Sequence, residues 1–172
     1  MRDESIIKNA ARLVAILAKL GIRIDLKAIR SSFEERLYLQ KLVYMLKLHP
    51  EYSRYLDFAK YSMYLYGPYS PELAQVYYNM PKPEVLPPYK IVISDEALEY
   101  GRELIKMDSE DLEIMATLIE ILRTRPFVTR ETAIRLVYRL KFYLGRPTSY
   151  IEDIFRRVRI LAQKHKLRIV WP

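Results

Sequence analysis

Apolar residues recur at three- and four-residue spacing from Ile6 through Ala10, Leu13, Val14 and Leu17 to Leu20. That period predicts an amphipathic helix over residues 5–20, which Gly21 ends. Residues 22–31 carry a weaker pattern, with a short turn of helix starting at Asp25. Ser32-Phe-Glu-Glu35 has the form of a capping box, in which the serine side chain and Glu35 each satisfy a free backbone donor of the other. It opens a helix running to Leu48, closed by His49-Pro50, with His49 placed as a cap at the helix C-terminus, where positive charge is tolerated. Residues 51–60 read as a helical turn or loop.

At residue 61 the period changes. Residues 61–66 alternate aromatic and apolar groups, the pattern of an extended segment, and Gly67-Pro68 is a turn signal. Ser70 then stands as an N-cap with Pro71 at the first helical position, where its missing N–H costs nothing. Residues 79–88 contain four prolines and read as a loop, followed by a short β-rich stretch at 89–93. Ser94 caps a helix over 95–107 with Ala97, Leu98, Gly101, Leu104 and Ile105 inward. A further helix starts at Asp108-Ser109, with Leu112, Met115, Leu118, Ile119 and Leu122 inward. Thr129 caps another that runs to Leu144, with Ile134, Val137 and Leu140 inward. After the break at Gly145-Arg-Pro147, Thr148 or Ser149 opens a last helix through Lys164, with Ile151, Ile154, Phe155, Val158 and Leu161 inward. Residues 167–171 fit a terminal strand.

The fold class expected is therefore mainly α: one domain over 1–172, multi-helical, with a small antiparallel β element. The strand and capped helix after the proline loop also fit a winged-helix-like variant.

Composition narrows the chemistry. The chain has no cysteine and two histidines, His49 and His165, so disulfides, thiolate catalysis and cysteine-held metals are excluded and His-rich metal sites are disfavoured; no cofactor is expected. No apolar run reaches the ~20 residues of a membrane span. The acidic start, leading straight into an amphipathic helix, is not that of a signal peptide, which points to the cytoplasm. Abundant Arg, Lys, Glu, Ile and Tyr with few Asn and Gln resemble heat-adapted proteins. The adjacent carboxylates Glu34-Glu35, Asp95-Glu96 and Glu110-Asp111 each stand at a helix start, where the macrodipole favours them, so they do not make a catalytic pair. With no phosphate loop, zinc motif or nucleophile elbow, a non-enzymatic protein is expected.

The net charge of +8 is unevenly placed: 13 of the 29 lysines and arginines lie from residue 123 onward, against three acids. Arg135 and Arg139 share one helix face with Phe142, and Arg156, Arg157 and Arg159 lie mostly opposite the apolar stripe of the last helix. Such clusters can meet phosphates, which makes a nucleic-acid-binding regulator the alternative reading. The helix after Tyr69 offers Glu72, Gln75, Tyr78 and Asn79 and no cation, which argues against major-groove reading there.

Leu39-Gln-Lys-Leu-Val-Tyr44 followed by Tyr64-Leu-Tyr-Gly-Pro-Tyr-Ser-Pro-Glu-Leu73 resembles the paired motif of the Panacea antitoxin domain, the SocA-like group, and of the related YwgA-like uncharacterised proteins. The resemblance covers about residues 33–107 and leaves the basic helical region, 109–172, outside it. It implies a mostly helical, non-enzymatic domain that binds a protein, by neutralising a toxin or acting as an adaptor. The residues it singles out are Leu39, Gln40, Lys41, Tyr44, Tyr64, Tyr66, Gly67, Pro68 and Tyr69. Structural roles are also expected of them: Gly67 and Pro68 setting the turn, Tyr44 and Tyr66 burying rings while bonding their hydroxyls, and Gln40 satisfying a turn amide. Fifteen tyrosines supply rigid amphipathic area of the kind enriched at interfaces, with a protein partner or a homodimer as the outcome.

Overall fold

The computed structural model describes residues 2–172. Its elements, in order, are α1 (Arg2–Lys19), α2 (Leu26–Ser31), α3 (Phe33–Lys47), α4 (Pro50–Ser53), β1 (Ser62–Tyr64), β2 (Gly67–Tyr69), α5 (Pro71–Asn79), α6 (Asp95–Ile105), α7 (Ser109–Thr124), α8 (Arg130–Leu140) and α9 (Thr148–Lys164). Short 3-10 turns occupy Pro83–Val85 and Phe142–Leu144. The fold is mainly α with a small antiparallel β element, and no described helix is long and apolar enough to cross a membrane.

Four helix starts are fixed by hydroxyl caps. The side chains of Ser32, Ser70, Ser94 and Thr129 each accept from the amide three residues on, all at 3.2 Å. At Ser32 the box is only half formed. Its own N–H donates back to Ala28 O at 2.8 Å, because the same residue also ends α2, so Glu35 has no donor to reach.

Helix α7 runs through the middle. Every residue from Asp111 to Leu122 is buried, so it has no solvent face, unlike a surface helix with one apolar stripe. It packs on α3, β2, α8 and α9, while α1 and α2 close the far side against α5 and α3. The stripe expected on α9 is buried as a unit, from Ile151 to Leu161.

Several local expectations are overturned. The two stretches at 89–93 and 167–171 form no strand; the sheet consists of β1 and β2 alone. Within that hairpin Tyr64 pairs with Gly67, so Leu65 and Tyr66 make the turn, and Gly67-Pro68 belong to the second strand. His49 is not a charged C-cap. It is buried and caps the start of α4, its Nδ1 accepting from the Glu51 amide at 3.3 Å, and burial pushes its pKa down. A protonated ring could not accept there. On α8 the inner stripe stops at Val137: Leu140 is exposed, and the buried position belongs to Lys141.

Candidate functional site

Phe33, Leu37, Gln40, Lys41 and Tyr44 follow helical spacing along α3, and the first four line one side of a cleft of about 260 Å³. The hairpin and α5 supply the other side, with Tyr64, Leu65, Tyr66, Gly67, Tyr69 and Tyr77.

Two side chains of the helical wall hold the hairpin by its backbone, and a tyrosine just before β1 ties back to the helix. Gln40 is buried and binds Ser70 twice, Nε2 donating to its carbonyl at 3.0 Å and Oε1 accepting from its amide at 2.9 Å. Lys41 Nζ donates to Pro68 O at 2.7 Å. Tyr61 OH donates to the Gln40 carbonyl at 3.1 Å. Gly67 adopts φ +90° and lies so close to Thr117 of α7 that a Cβ would overlap the threonine hydroxyl. A short hairpin alone is marginal in water; here buried polar ties make it rigid.

The rim is aromatic. The Tyr66 ring meets Phe33 edge-on at 5.0 Å and Tyr143 at 5.7 Å, while Tyr64 tilts over Tyr69 at 5.7 Å. At the turn Leu65 is 75% and Tyr64 63% exposed. Arg36 leans on Tyr78 with its guanidinium 6.0 Å from the ring centre, and donates to the Ile29 and Arg30 carbonyls at 3.1 and 3.2 Å.

Behind the lining, next to Lys41, lies a charged cluster. Glu113 of α7 pairs with Lys141 at 2.7 Å, with side chains 6% and 1% exposed, and also accepts from Tyr143 OH. Lys141 Nζ reaches the same tyrosine oxygen at 3.2 Å. Burial pushes the Tyr143 hydroxyl well up and the Lys141 amine down, Glu113 opposing the latter. Lys41 has no carboxylate of its own. Burial, joined by the charge of Lys141 and opposed by Glu113, pushes its pKa from the ordinary 10.5 down to about 7. The unfolded chain therefore holds this proton over a pH range in which the folded one has released it. The resulting penalty is fully present below pH 7 and is relieved as pH rises toward 10.5.

Not every residue of the motif belongs here. Leu39 is core. Tyr44 points to a separate polar cavity of about 270 Å³, where its hydroxyl donates to Glu120 at 2.7 Å and Arg123 stands 3.7 Å from the same carboxylate. Pro68 enters the site through its carbonyl, bonded to Lys41. Tyr66 is half-exposed, using its ring and not its hydroxyl. Among the arginines, Arg135 and Arg139 share a shallow groove on α8 with Thr132 and Leu136. Arg157 is committed to buried Asp111 at 2.6 Å, and Arg156 lies 3.4 Å from Asp153; both Arg156 and Arg159 are exposed.

Sequence reasoning missed Phe33, Thr117, Glu113, Lys141 and Tyr143. Two of them carried a readable signal. Glu113 interrupts the apolar run of α7, and Lys141 sits seven residues after Ile134, continuing that helix's buried stripe. No group of three His, Cys, Asp or Glu side chains placed to hold a metal occurs among the described residues. Comparisons with protein-family models, curated proteins and solved structures find no match to this chain.

Proposed function

We propose that this protein is a non-enzymatic binding and regulatory module of the antitoxin or adaptor kind, and that it holds a protein partner on the aromatic rim around the β1–β2 turn. The observation that carries this reading is the combination of exposure and rigidity. Tyr64, Leu65, Tyr66 and Phe33 present apolar area to solvent, while Gln40, Lys41 and Tyr61 fix the backbone beneath them. Aromatic side chains held in place bind with little loss of freedom, which is how interface anchors gain affinity. The resemblance of residues 33–107 to the Panacea group supports the same reading.

The test is a photocrosslinking amino acid at Leu65, activated in cells of the source organism. A single discrete protein adduct is expected, and Phe33→Ala or Tyr66→Ala should each weaken that complex by ~2 kcal/mol, about 30-fold, as for an anchor residue. An adduct insensitive to both substitutions would remove the rim from the interface.

A second reading, binding of nucleic acid by the last third, is favoured by Arg135 and Arg139, which join none of the ion pairs found among the described residues. In fluorescence anisotropy with duplex DNA and single-stranded RNA, Arg135→Ala/Arg139→Ala should then reduce the log–log salt slope by about two. Absence of binding at low salt eliminates this reading.

A further inference from the structure

Segments far apart in the chain meet at the polar cavity of about 270 Å³: Lys47 from the last turn of α3, Tyr61 before the hairpin, Glu120 and Arg123 from the end of α7, and Arg168 from the C-terminal segment. It shares no lining residue with the aromatic cleft. Its wall carries three cations against one carboxylate, Glu120. That acid is already engaged, accepting from Tyr44 OH at 2.7 Å with Arg123 3.7 Å away. Lys47 and Arg168 join none of the ion pairs found among the described residues.

Neighbouring charges do not close the gap. Asp57 is taken by Arg12 at 3.0 Å, Glu72 accepts from Ser70 Oγ at 3.0 Å, and Lys60 adds a further cation nearby. Burial, then Lys60 and Arg123, push the Lys47 amine's pKa down, with Asp57 and Glu72 opposing. The carboxyl ends of α3 and α7 supply about half a negative charge each, so the wall still lacks roughly one to two negative charges. The cations are within reach of solvent: the Arg123 side chain is 49% exposed, Arg168 is exposed and Lys47 half-buried.

We propose that this cavity binds a phosphate dianion, carried by a small phosphomonoester. The charge matches, because such a group holds about −1.5 to −2 at pH 7. Donor supply matches as well. Two guanidinium forks and an ammonium offer more N–H groups than the oxygens of one carboxylate accept, and a terminal phosphate has the acceptors to use them. Ser53 adds a hydroxyl to the same wall. Size limits the rest of the ligand: about 270 Å³ falls below the ~300–1,000 Å³ of pockets that hold drug-sized molecules, so the substituent on the phosphate is small. This is a small-ligand site separate from the protein-binding rim.

The probes are methyl phosphate, dimethyl phosphate and inorganic phosphate, titrated into the full chain at constant ionic strength near neutral pH and followed by phosphorus NMR. Methyl phosphate should bind at millimolar concentration or below, and about tenfold or more tighter than dimethyl phosphate, a diester with a single charge. Inorganic phosphate should bind no tighter than methyl phosphate. Arg123→Gln and Arg168→Gln should each weaken methyl phosphate by about tenfold, whereas Arg135→Gln on α8 should leave it unchanged. Arg168→Gln decides, because that side chain is exposed and outside every described ion pair, so the fold does not depend on it. Its melting temperature without ligand should equal the parent's, and the rise that methyl phosphate gives the parent should be lost. No binding of methyl phosphate at millimolar concentration, a smaller preference over the diester, or parental affinity in Arg168→Gln overturns the proposal. Inorganic phosphate binding about tenfold tighter than methyl phosphate overturns the ester and assigns the site to the free anion.

Discussion

Glu113→Leu should destabilise the protein by about 3–5 kcal/mol at pH 7, the largest loss expected from a single substitution near the cleft. Leucine fills much of the glutamate's space, so the cost is electrostatic more than steric. Without the carboxylate, Lys141 keeps a side chain that is 1% exposed, with no counter-charge and with Lys41 as a charged neighbour. Tyr143 loses its acceptor at the same time. The buried amine can escape by giving up its proton, and that route sets the scale. Neutralising a lysine of ordinary pKa 10.5 at pH 7 costs ~1.4 kcal/mol for each unit of the difference. The loss should accordingly diminish by about that amount per pH unit as the solution is made alkaline.

Urea unfolding at pH 7 and pH 9 measures both effects. Glu113→Leu/Lys141→Met, which removes the pair together, should recover most of the stability or exceed the parent, since a buried ion pair replaced by apolar groups is often neutral or better. A single variant within 1 kcal/mol of the parent would show that water reaches Lys141 and that the cluster is not dry.

Gly67→Ala should cost roughly 2–4 kcal/mol and weaken whatever the hairpin binds. Two independent terms contribute. At φ +90° an alanine meets its own backbone, and the added methyl enters the space of the Thr117 hydroxyl. That hydroxyl cannot swing away freely, because it donates to Glu113 O at 2.8 Å within the buried stretch from Asp111 to Leu122. Thr117→Ala in the same chain removes the overlap and leaves the dihedral strain, so the double variant should regain about half of the loss. If it regains nothing, the backbone angle alone explains the glycine. If it regains all, the strain is relaxed by the turn. Thermal melting of the four proteins decides among these.

Much of the helical scaffold is legible because its signals are local. Asp25, Ser32, Ser70, Ser94 and Thr129 cap the helices that their spacing marks, and the α9 stripe reads off without error. What the sequence hides is long-range. Residues 89–93 look like a strand by composition, yet a strand needs a partner edge, and Tyr55 OH and Arg54 satisfy the Val92 backbone in its place. Gly67-Pro68 carry turn residues, but they stand in β2, and Gly67 answers both to its φ of +90° and to Thr117, fifty positions away. His49 follows the same rule, since its environment is built by the rings of Tyr52 and Tyr100. Gln40, Lys41, Tyr64, Tyr66, Gly67 and Tyr69, which the sequence analysis singles out together, line one cleft. The charged cluster behind it is not legible in this way, because Glu113 and Lys141 come from the region past that group and only the tertiary fold brings them next to Lys41.

The burial of α7 on every side also sets an order of events in the cell. Helix α3 and the hairpin are complete by residue 69, yet the surface they pack on spans Ser109–Thr124 and leaves the ribosome later still. At roughly 5–20 residues per second, the interval is on the order of several seconds. For that time the Gln40 and Lys41 side chains have a hairpin to hold but no α7 behind it. Until its own last third arrives, a nascent chain of this design leaves open the face of α3 and β2 that α7 covers.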